Sequence, residues 1–323
     1  MDALPNDKIL EFHANTLEVV RKDVGLDKPG RIDEAVDILD DWIKKGVGCQ
    51  GYLYYKRPSY KGFIIIITAN EYLERTVIIA KGLLERAKQR IEKLCTFRTL
   101  MPEFFILKVF PKMFVLFFRT HGHLPKLTEE HYRVYMFKLY DQDINSGLIL
   151  KFYRNIILVI LFSFQLCEYL RKNDYCAGFQ LVMDFTDANV MTFITKVNPL
   201  ELRQIITLIT EGYGMRIKGI HIITSSKMVD ALVALFKQVF SAKLSSRIHV
   251  HKALDTLHAT VSKDILPTEY GGKEKSLKEI NGKSIEYFEE MLQANTNESY
   301  RQSDKFNEEY AGMPGSFRAL AVD

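Results

Sequence analysis

Two histidine pairs have a spacing that could place two imidazoles on one side of a strand. They are His121 with His123, and His249 with His251. Imidazole nitrogens bind zinc, but a zinc site also needs further nitrogen, sulfur or carboxylate ligands. No cysteine or carboxylate lies beside either pair to complete a ligand set. We therefore interpret both pairs as histidines that pack or hydrogen-bond at strand ends, and we expect no metal site.

Asp184 and Asp187 are the carboxylates best placed for acid–base chemistry. They follow an apolar strand pattern, and α/β enzymes often hold catalytic groups at the carboxyl end of a parallel strand. No partner nucleophile or metal motif accompanies them, so helix capping or loop anchoring is the favoured interpretation. The chain also contains no G-x-S-x-G elbow, Walker loop or H-E-x-x-H motif. We expect no enzyme, although an unrecognised α/β hydrolase or oxidoreductase stays open as an alternative.

Gly46, Gly48 and Gly51 match the pattern G-x-G-x-x-G. A dinucleotide-binding loop lies between a strand and the helix whose amino terminus receives the pyrophosphate. Here the glycines follow a helical pattern and precede Tyr-Leu-Tyr-Tyr, so the expected context is reversed. We interpret them as a helix end followed by a loop, and we expect no nucleotide cofactor.

Positive charge is concentrated in residues 216–252. This segment holds seven basic residues and a single acid, Asp230, which gives it a net charge of +6 in a chain whose total is +4. A solvated face is the commoner meaning of such a pattern, but a local excess can also attract phosphate groups. The modest total charge does not indicate a nucleic-acid partner, and we expect none.

An apolar helical stripe lies within the same segment, at residues 228–240. Its members follow i, i+3, i+4, i+7 spacing and are Val229, Leu232, Val233, Phe236, Val239 and Phe240. Plain core packing is the commoner explanation. A hydrophobic helix flanked by cations is also typical of an element that docks on an anionic bilayer.

Composition and apolar runs limit the class of protein. The chain has 323 residues, 47% of them hydrophobic and 26% charged, as in ordinary globular proteins. Its longest strongly apolar stretch, 156–164, is far short of the ~20 residues that span a bilayer. The start of the chain does not read as a signal peptide, and its four cysteines are widely spaced. We expect a reduced, cytoplasmic protein that contacts membranes only peripherally.

Periodicity divides the chain into three parts. Residues 1–110 predict a helical domain, with an amphipathic helix at 31–43 and a pair of helices at 71–102 that meet near Lys81 and Gly82. Residues 125–272 predict an α/β domain, and residues 273–323 a polar tail. In the α/β domain, strands are expected at 132–139, 179–185, 217–224 and 247–251. Helices are expected at 148–171, 199–211 and 228–240. This alternation predicts a mainly parallel sheet with helices on its faces.

Several segments closely resemble the CRAL-TRIO lipid-transfer family. They are KMVDALVALFKQVFSAKLSSRIHVH, the motif ILPTEYGG at 265–272 and the preceding GMRIKGIHIIT. The segment ERAKQRIEKLCTFRTLMPEFF resembles the helical domain found before the lipid-binding domain. The tail GSFRALAVD resembles the insect branch, which includes alpha-tocopherol-transfer-like and retinaldehyde-binding-like proteins.

The resemblance implies an α/β bowl that encloses one hydrophobic ligand, closed by a gate helix at about 228–240. Residues at matching pocket positions are Phe179, Met183, Leu208, Ile209, Tyr213 and Ile220, with gate residues Val229, Leu232, Val233 and Phe236. It also implies a basic patch that binds phosphoinositide headgroups, as in the alpha-tocopherol transfer protein. The matching positions in this sequence are Arg216, Lys243 and Arg247. The chain departs from that protein at Val77, Ile78, Ile79 and Ala80, where an arginine-rich stretch is expected.

The implied function is transfer of one small hydrophobic lipid, such as a tocopherol, retinoid or carotenoid, between anionic membranes. It requires a bound lipid but no catalytic cofactor. A lipid-sensing adaptor, whose bound ligand regulates a protein partner, is the alternative. Such an adaptor is expected to carry a further interaction module, and the sequence contains none that we can identify.

Overall fold

The structure is a computed structural model, and it describes residues 3–45, 70–100, 121–140, 167 and 169–296. The helix predicted at 148–171 and the glycine-rich loop at 46–51 lie almost entirely outside these residues.

Four helices precede the sheet in the described part of the chain. They are α1 (Thr16–Asp23), α2 (Arg31–Lys44), α3 (Asn70–Ile79) and α4 (Leu84–Leu100). Helix α2 buries the apolar side of its predicted pattern, including Ile32, Val36 and Leu39. Between α3 and α4 the backbone reverses at Lys81 and Gly82, which both have positive φ angles, of 61° and 72°. The predicted helix at 31–43 and the predicted break at this point are therefore confirmed.

A five-stranded sheet forms the centre of the second part. Its strands are β1 (His121–Leu127), β2 (Tyr132–Tyr140), β3 (Gly178–Asp187), β4 (Ile217–Ile223) and β5 (Ile248–His251), and they lie in the order β1-β2-β3-β4-β5. The pairs from β2 to β5 are parallel, and β1 is antiparallel to β2. This confirms the predicted fold class, a mainly parallel α/β sheet preceded by a helical part.

Helices connect and cover the strands. They are α5 (Val190–Lys196), α6 (Pro199–Thr207, continued by a π-helical turn at Leu208–Gly212), α7 (Val229–Val239), α8 (Ala242–Ser245), α9 (Leu254–His258) and α10 (Leu277–Thr296). The side chains of Asn189 and Asn198 cap α5 and α6 by accepting hydrogen bonds from Thr192 N and Leu200 N. These caps satisfy amide groups that a helix start otherwise leaves unpaired.

One face of the sheet is tightly packed. Val134 and Val182 there have no exposed surface, and they pack with residues of α9, α10 and the 265–272 motif. Gly272 of that motif comes so close to Leu266 that a Cβ atom would lie 1.9 Å from the Leu266 carbonyl oxygen. The motif that is most distinctive in the sequence is therefore structural, and it lies behind the sheet.

Helix α10 occupies the first part of the predicted polar tail. Its buried positions are Leu277, Ile280, Asn281 and Ser284, which follow helical i, i+3, i+4, i+7 spacing. Leu277 and Ile280 join the core behind the sheet. Residues 277–284 are thus part of the folded body, next to β1.

Candidate functional site

The opposite face of the sheet is incompletely covered. Tyr135 and Phe137 of β2 lie in register with Leu181 and Met183 of β3, and all four side chains are only partly buried. Strand β3 is central, with a parallel neighbour on each side. Central strands of a sheet covered by helices are normally buried on both faces. We take the space in front of these four side chains as the candidate ligand site and call it the hollow.

Helix α7 forms a boundary of this hollow. Leu232 and Phe236 point inward and pack in one cluster with Ile220 and Ile222 of β4, which have no exposed surface. The outer side of the helix carries exposed Lys237. The helix therefore has the predicted amphipathic character, and its apolar side faces the sheet.

Helices α5 and α6 lie beside α7 on the same side of the sheet. The guanidinium of Arg203 on α6 donates a 2.7 Å hydrogen bond to the carbonyl of Gln238 near the end of α7. Three large apolar side chains of this region point to solvent: Met191 is 50% exposed, Leu200 70% and Met228 36%. They lie on α5, on α6 and directly before α7, and we call them the apolar rim.

The predicted pocket residues fall into two packing clusters. Met183, Ile220, Leu232, Val233 and Phe236 pack together between the sheet and α7. Phe179, Leu208, Ile209 and Tyr213 pack instead with the amino-terminal helices. Val229 is half-buried at the start of α7. The structure thus brings five of the ten predicted residues together beside the hollow and places four others at the joint between the two parts of the chain.

Tyr213 is the one predicted pocket residue whose side chain carries a hydroxyl group. Its side chain is completely buried, and its backbone carbonyl accepts a hydrogen bond from the Arg171 guanidinium. It packs in the cluster formed with the amino-terminal helices rather than in the cluster of α7.

The predicted headgroup residues lie in the segments that precede β4 and β5. Arg216 precedes β4, and its Nη1 lies 3.6 Å from Asp23 Oδ2. Arg247 precedes β5 and donates a hydrogen bond from Nη1 to the Ile217 carbonyl. Lys243 is exposed on the short helix α8. The prediction did not include Lys218, whose pKa is lowered by burial and by the neighbouring charges of Arg216, Arg247 and Lys81. Lys81 and Lys218 therefore enlarge the basic region.

Residues considered for catalysis have structural partners. Asp184 Oδ1 accepts a 2.8 Å hydrogen bond from Thr186 N, and Oδ2 accepts a 2.9 Å bond from the Tyr270 hydroxyl. Asp187 pairs with Lys138 at 2.7 Å. These contacts anchor the loop after β3 and the 265–272 motif, in agreement with the anchoring interpretation.

The carboxyl-terminal histidine pair joins a third histidine behind the sheet. His221 Nδ1 and His251 Nε2 share a 3.0 Å hydrogen bond, and His251 Nδ1 lies 3.0 Å from Thr256 Oγ1. His249 stacks on His221 with 5.4 Å between ring centroids. In the described part of the chain, no group of three His, Cys, Asp or Glu residues is arranged to hold a metal ion.

The sequence prediction missed Phe137, Leu181 and Ile222 beside the hollow. Each lies two residues from another member of the same face, so strict alternation along β2, β3 and β4 would have identified them.

Sequence comparison finds a match to the CRAL/TRIO domain and similarity to proteins of known name. The sequence model of the CRAL/TRIO domain matches residues 119–272. The chain is 31% identical over 75 residues to the mouse protein "Alpha-tocopherol transfer protein-like", which is 23% of this chain and 22% of that protein. It is 31% identical over 98 residues to rat clavesin-2, or 29% of each chain. The aligned regions thus span less than a third of these relatives.

A solved structure shares the fold. The crystal structure of Sfh5 superposes with a TM-score of 0.52, and the match covers 83% of this chain and 98% of that one, at 14% sequence identity. In the described part of this chain, no helix combines the length and apolarity needed to cross a bilayer.

Proposed function

We propose that this chain, whose residues 119–272 match the CRAL/TRIO domain, carries one small hydrophobic lipid between membranes, as is expected of lipid-transfer proteins that contain this domain. The proposed ligand is a tocopherol, a retinoid, a carotenoid or a molecule of similar character. It occupies the hollow above β2 and β3, with α7 as its gate. The basic region around Arg216 and Arg247 contacts anionic phospholipid headgroups during exchange.

The observation that carries this proposal is the difference between the two faces of the sheet. On β3, Val182 is fully buried behind the sheet, whereas Leu181 and Met183 on either side of it are partly exposed on the front. A protein without an internal ligand gains stability by filling such a space, because well-packed interiors leave few voids. Apolar walls around an unfilled space suit a hydrophobic ligand.

The energetics favour a carrier with a movable cover. Each Å² of apolar ligand surface that leaves a membrane for water costs roughly 25 cal/mol, so unaided transfer of a lipid is slow. A hollow lined by Phe137, Leu181 and Met183 replaces the solvation that the bilayer provided. This process requires no covalent step.

The surface around α7 supports docking on a membrane. The apolar rim of Met191, Leu200 and Met228 suits insertion into the interfacial region of a bilayer. Exposed Lys227 and Lys237 lie at the two ends of α7, where they can approach anionic headgroups. The same helix would then contact the ligand from one side and the membrane from the other.

The test is to fill the hollow by substitution. Met183→Trp should occupy ligand space, so the purified protein should lose most of its co-purified lipid, measured by organic extraction and mass spectrometry. Its thermal unfolding temperature without lipid should change little. If the front face is solidly packed, the same substitution should instead destabilise the protein by ~1–3 kcal/mol through overpacking.

Val182→Phe is the matched control on the adjacent position. It enlarges a side chain on the packed face behind the sheet, so it should lower the unfolding temperature without a specific effect on ligand content per folded molecule. Equal destabilisation by both substitutions, with no lipid in the wild-type extract, would refute the carrier function.

A further inference from the structure

Four arginines from separate elements converge where the amino-terminal helices meet the sheet. Arg75 lies on α3, Arg90 on α4, Arg171 in the helical residues 169–173 and Arg216 just before β4. Arg75 and Arg171 are almost completely buried, with 4% and 2% of their surface exposed. We call these four residues the arginine cluster.

The arginine cluster has more donors than partners. Arg171 donates to Thr76 Oγ1 at 2.8 Å and to the Tyr213 carbonyl, which are both neutral groups. Buried nitrogens without a hydrogen-bond acceptor remain on every member. They include Nε of Arg75, Nε and Nη1 of Arg90, Nε of Arg171, and Nη1 and Nη2 of Arg216.

Three carboxylates near the cluster compensate only part of its charge: Asp23 Oδ2 lies 3.6 Å from Arg216 Nη1, and the other two also bind cations outside the cluster. Asp174 holds the buried Arg133 through two hydrogen bonds of 3.0 and 2.8 Å. Glu74 is shared between Arg21 at 3.1 Å and Arg75 at 2.8 Å. Across the described segments, neither Arg90 nor Arg171 has a carboxylate within salt-bridge distance, so the cluster carries excess positive charge.

Gly214 leaves space for the guanidinium of Arg90 within the cluster. A Cβ atom on Gly214 would lie 1.7 Å from Arg90 Nη1, so a larger residue there would move the guanidinium from its present position. Burial and the charges of Arg171, Arg86 and Arg216 lower the pKa of Arg90 to about 10. An uncompensated group of buried cations is unfavourable unless an anion accompanies it.

A cavity lies at the same place. Its walls include Arg75, Arg171 and Arg216, together with Tyr175, Gly178 and Met215. Guanidinium groups pair with phosphate and carboxylate oxygens through two parallel hydrogen bonds. Several converging guanidinium groups favour a doubly charged oxyanion over a singly charged carboxylate.

We propose that the arginine cluster binds a phosphate group, which joins the amino-terminal helices to the sheet. Three of its residues, Arg75, Arg90 and Arg171, lie outside the headgroup positions Arg216, Lys243 and Arg247 of the proposed function. The phosphate is either free in solution or part of a phospholipid headgroup that enters past Arg216. Only the second source depends on the proposed function.

The experiment uses the full chain after extensive dialysis in chloride. Thermal unfolding is followed with added sodium phosphate and with sodium chloride of equal ionic strength. Arg90→Gln removes one half-buried member of the cluster, and Arg86→Gln removes an exposed arginine of the same helix. We expect phosphate to raise the unfolding temperature of the wild type and of Arg86→Gln, because a ligand of the folded state stabilises it.

Arg90→Gln should behave differently in the two buffers. In chloride it should unfold at a higher temperature than the wild type, since one repelling cation is gone, and phosphate should raise its unfolding temperature far less. Its phosphate affinity by calorimetry should fall at least tenfold. Identical responses of all three proteins, or no response in any of them, would overturn a free-phosphate site.

A second arm identifies the source of the phosphate. The three proteins are sedimented with vesicles of phosphatidylcholine, with and without a phosphorylated phosphatidylinositol. If inorganic phosphate has no effect but Arg90→Gln alone loses binding to the phosphorylated vesicles at least tenfold, the ligand is a headgroup. Failure in both arms overturns the proposal. Co-purified lipid is measured separately, so the carrier function can survive this failure.

Discussion

Removing His221 should weaken the sensitivity of the fold to acid. Burial, followed by the proximity of His251 and His249, lowers the pKa of His221 from 6.5 to about 4. In the unfolded chain this imidazole binds a proton below pH 6.5, whereas in the folded protein it remains neutral until about pH 4. Between these values the unfolded state binds more protons, so stability must fall as the pH falls.

The size of the effect follows from the two pKa values. Between pH 7 and pH 5 the linkage relation gives a decrease of about 2 kcal/mol in the free energy of unfolding from His221 alone. Below about pH 4 the folded protein also takes up the proton, and this contribution no longer changes. The imidazole is 2% exposed, so solvent screening is small.

The assay is urea unfolding followed by circular dichroism at pH 7, 6 and 5, for the wild type, His221→Gln and His249→Gln. His221→Gln should lower the free energy of unfolding at pH 7 by about 1 kcal/mol, because the substitution disturbs the hydrogen bond to His251. It should also reduce the loss between pH 7 and 5 by about 2 kcal/mol relative to the wild type. His249→Gln changes an exposed histidine in register with His221 and should leave most of the dependence intact.

The result that would refute this reasoning is an unchanged acid dependence in His221→Gln. The fully buried His123, whose pKa is also lowered to about 4 by burial, would then be the main acid-sensitive group. Equal urea dependence of the free energy in all variants is needed for the comparison, because this slope reports the surface exposed on unfolding.

Three further outcomes test the proposed exchange mechanism. Phe236→Asp should reduce both the co-purified lipid and the binding to vesicles, because a carboxylate is costly to desolvate in either environment. If only one of these falls, α7 contacts only the ligand or only the membrane. The double variant Lys243→Glu, Arg247→Glu leaves Arg216 intact and should weaken binding to anionic vesicles at least tenfold, because each cation near the surface contributes ~1 kcal/mol. Unchanged binding at low salt would show that these two residues do not contact headgroups. Arg203→Ala removes the hydrogen bond to the end of α7 and should speed release of a fluorescent lipid to acceptor vesicles about fivefold, since an exposed hydrogen bond contributes ~1 kcal/mol. An unchanged rate would mean that α7 does not limit release.

The sequence pattern predicted those strands that are apolar and parallel. It missed β1, whose sequence HGHLPKL lacks alternation and contains Pro125. Proline cannot donate a hydrogen bond, and it is tolerated here because β1 is the edge strand, with an irregular register between His123 and Leu127. Its pairing with β2 therefore depends on tertiary context more than on local preference.

The sequence pattern did not predict helix α10, for a different reason. In the part of the helix whose burial is described, residues 277–286, the buried positions hold two apolar side chains, Leu277 and Ile280, and two polar ones, Asn281 and Ser284. A hydrophobicity pattern does not register a stripe that is half polar. The segment was therefore predicted as a tail, although its first turns pack against the body.

The ligand side of the sheet was predictable only in part. Alternation along β3 separates Leu181 and Met183 from Val182, but it does not show which of the two faces other elements cover. Tyr213 and Leu208 illustrate the same limit, because matched positions in a family do not fix which helices pack on them. The arginine cluster had no sequence signal, since its members are distant in the chain.

The short connections of α7 limit how far a gate can travel. Five residues, 224–228, join β4 to α7, and eight residues, 240–247, join its other end to β5 through α8. Fully extended, five residues reach at most about 18 Å. Both anchors are neighbouring strands, tied at their ends by the hydrogen bond from Thr224 N to the His251 carbonyl. As the proposed gate, α7 would therefore stay attached at both ends, and these connections would limit its outward movement and guide its return to the sheet.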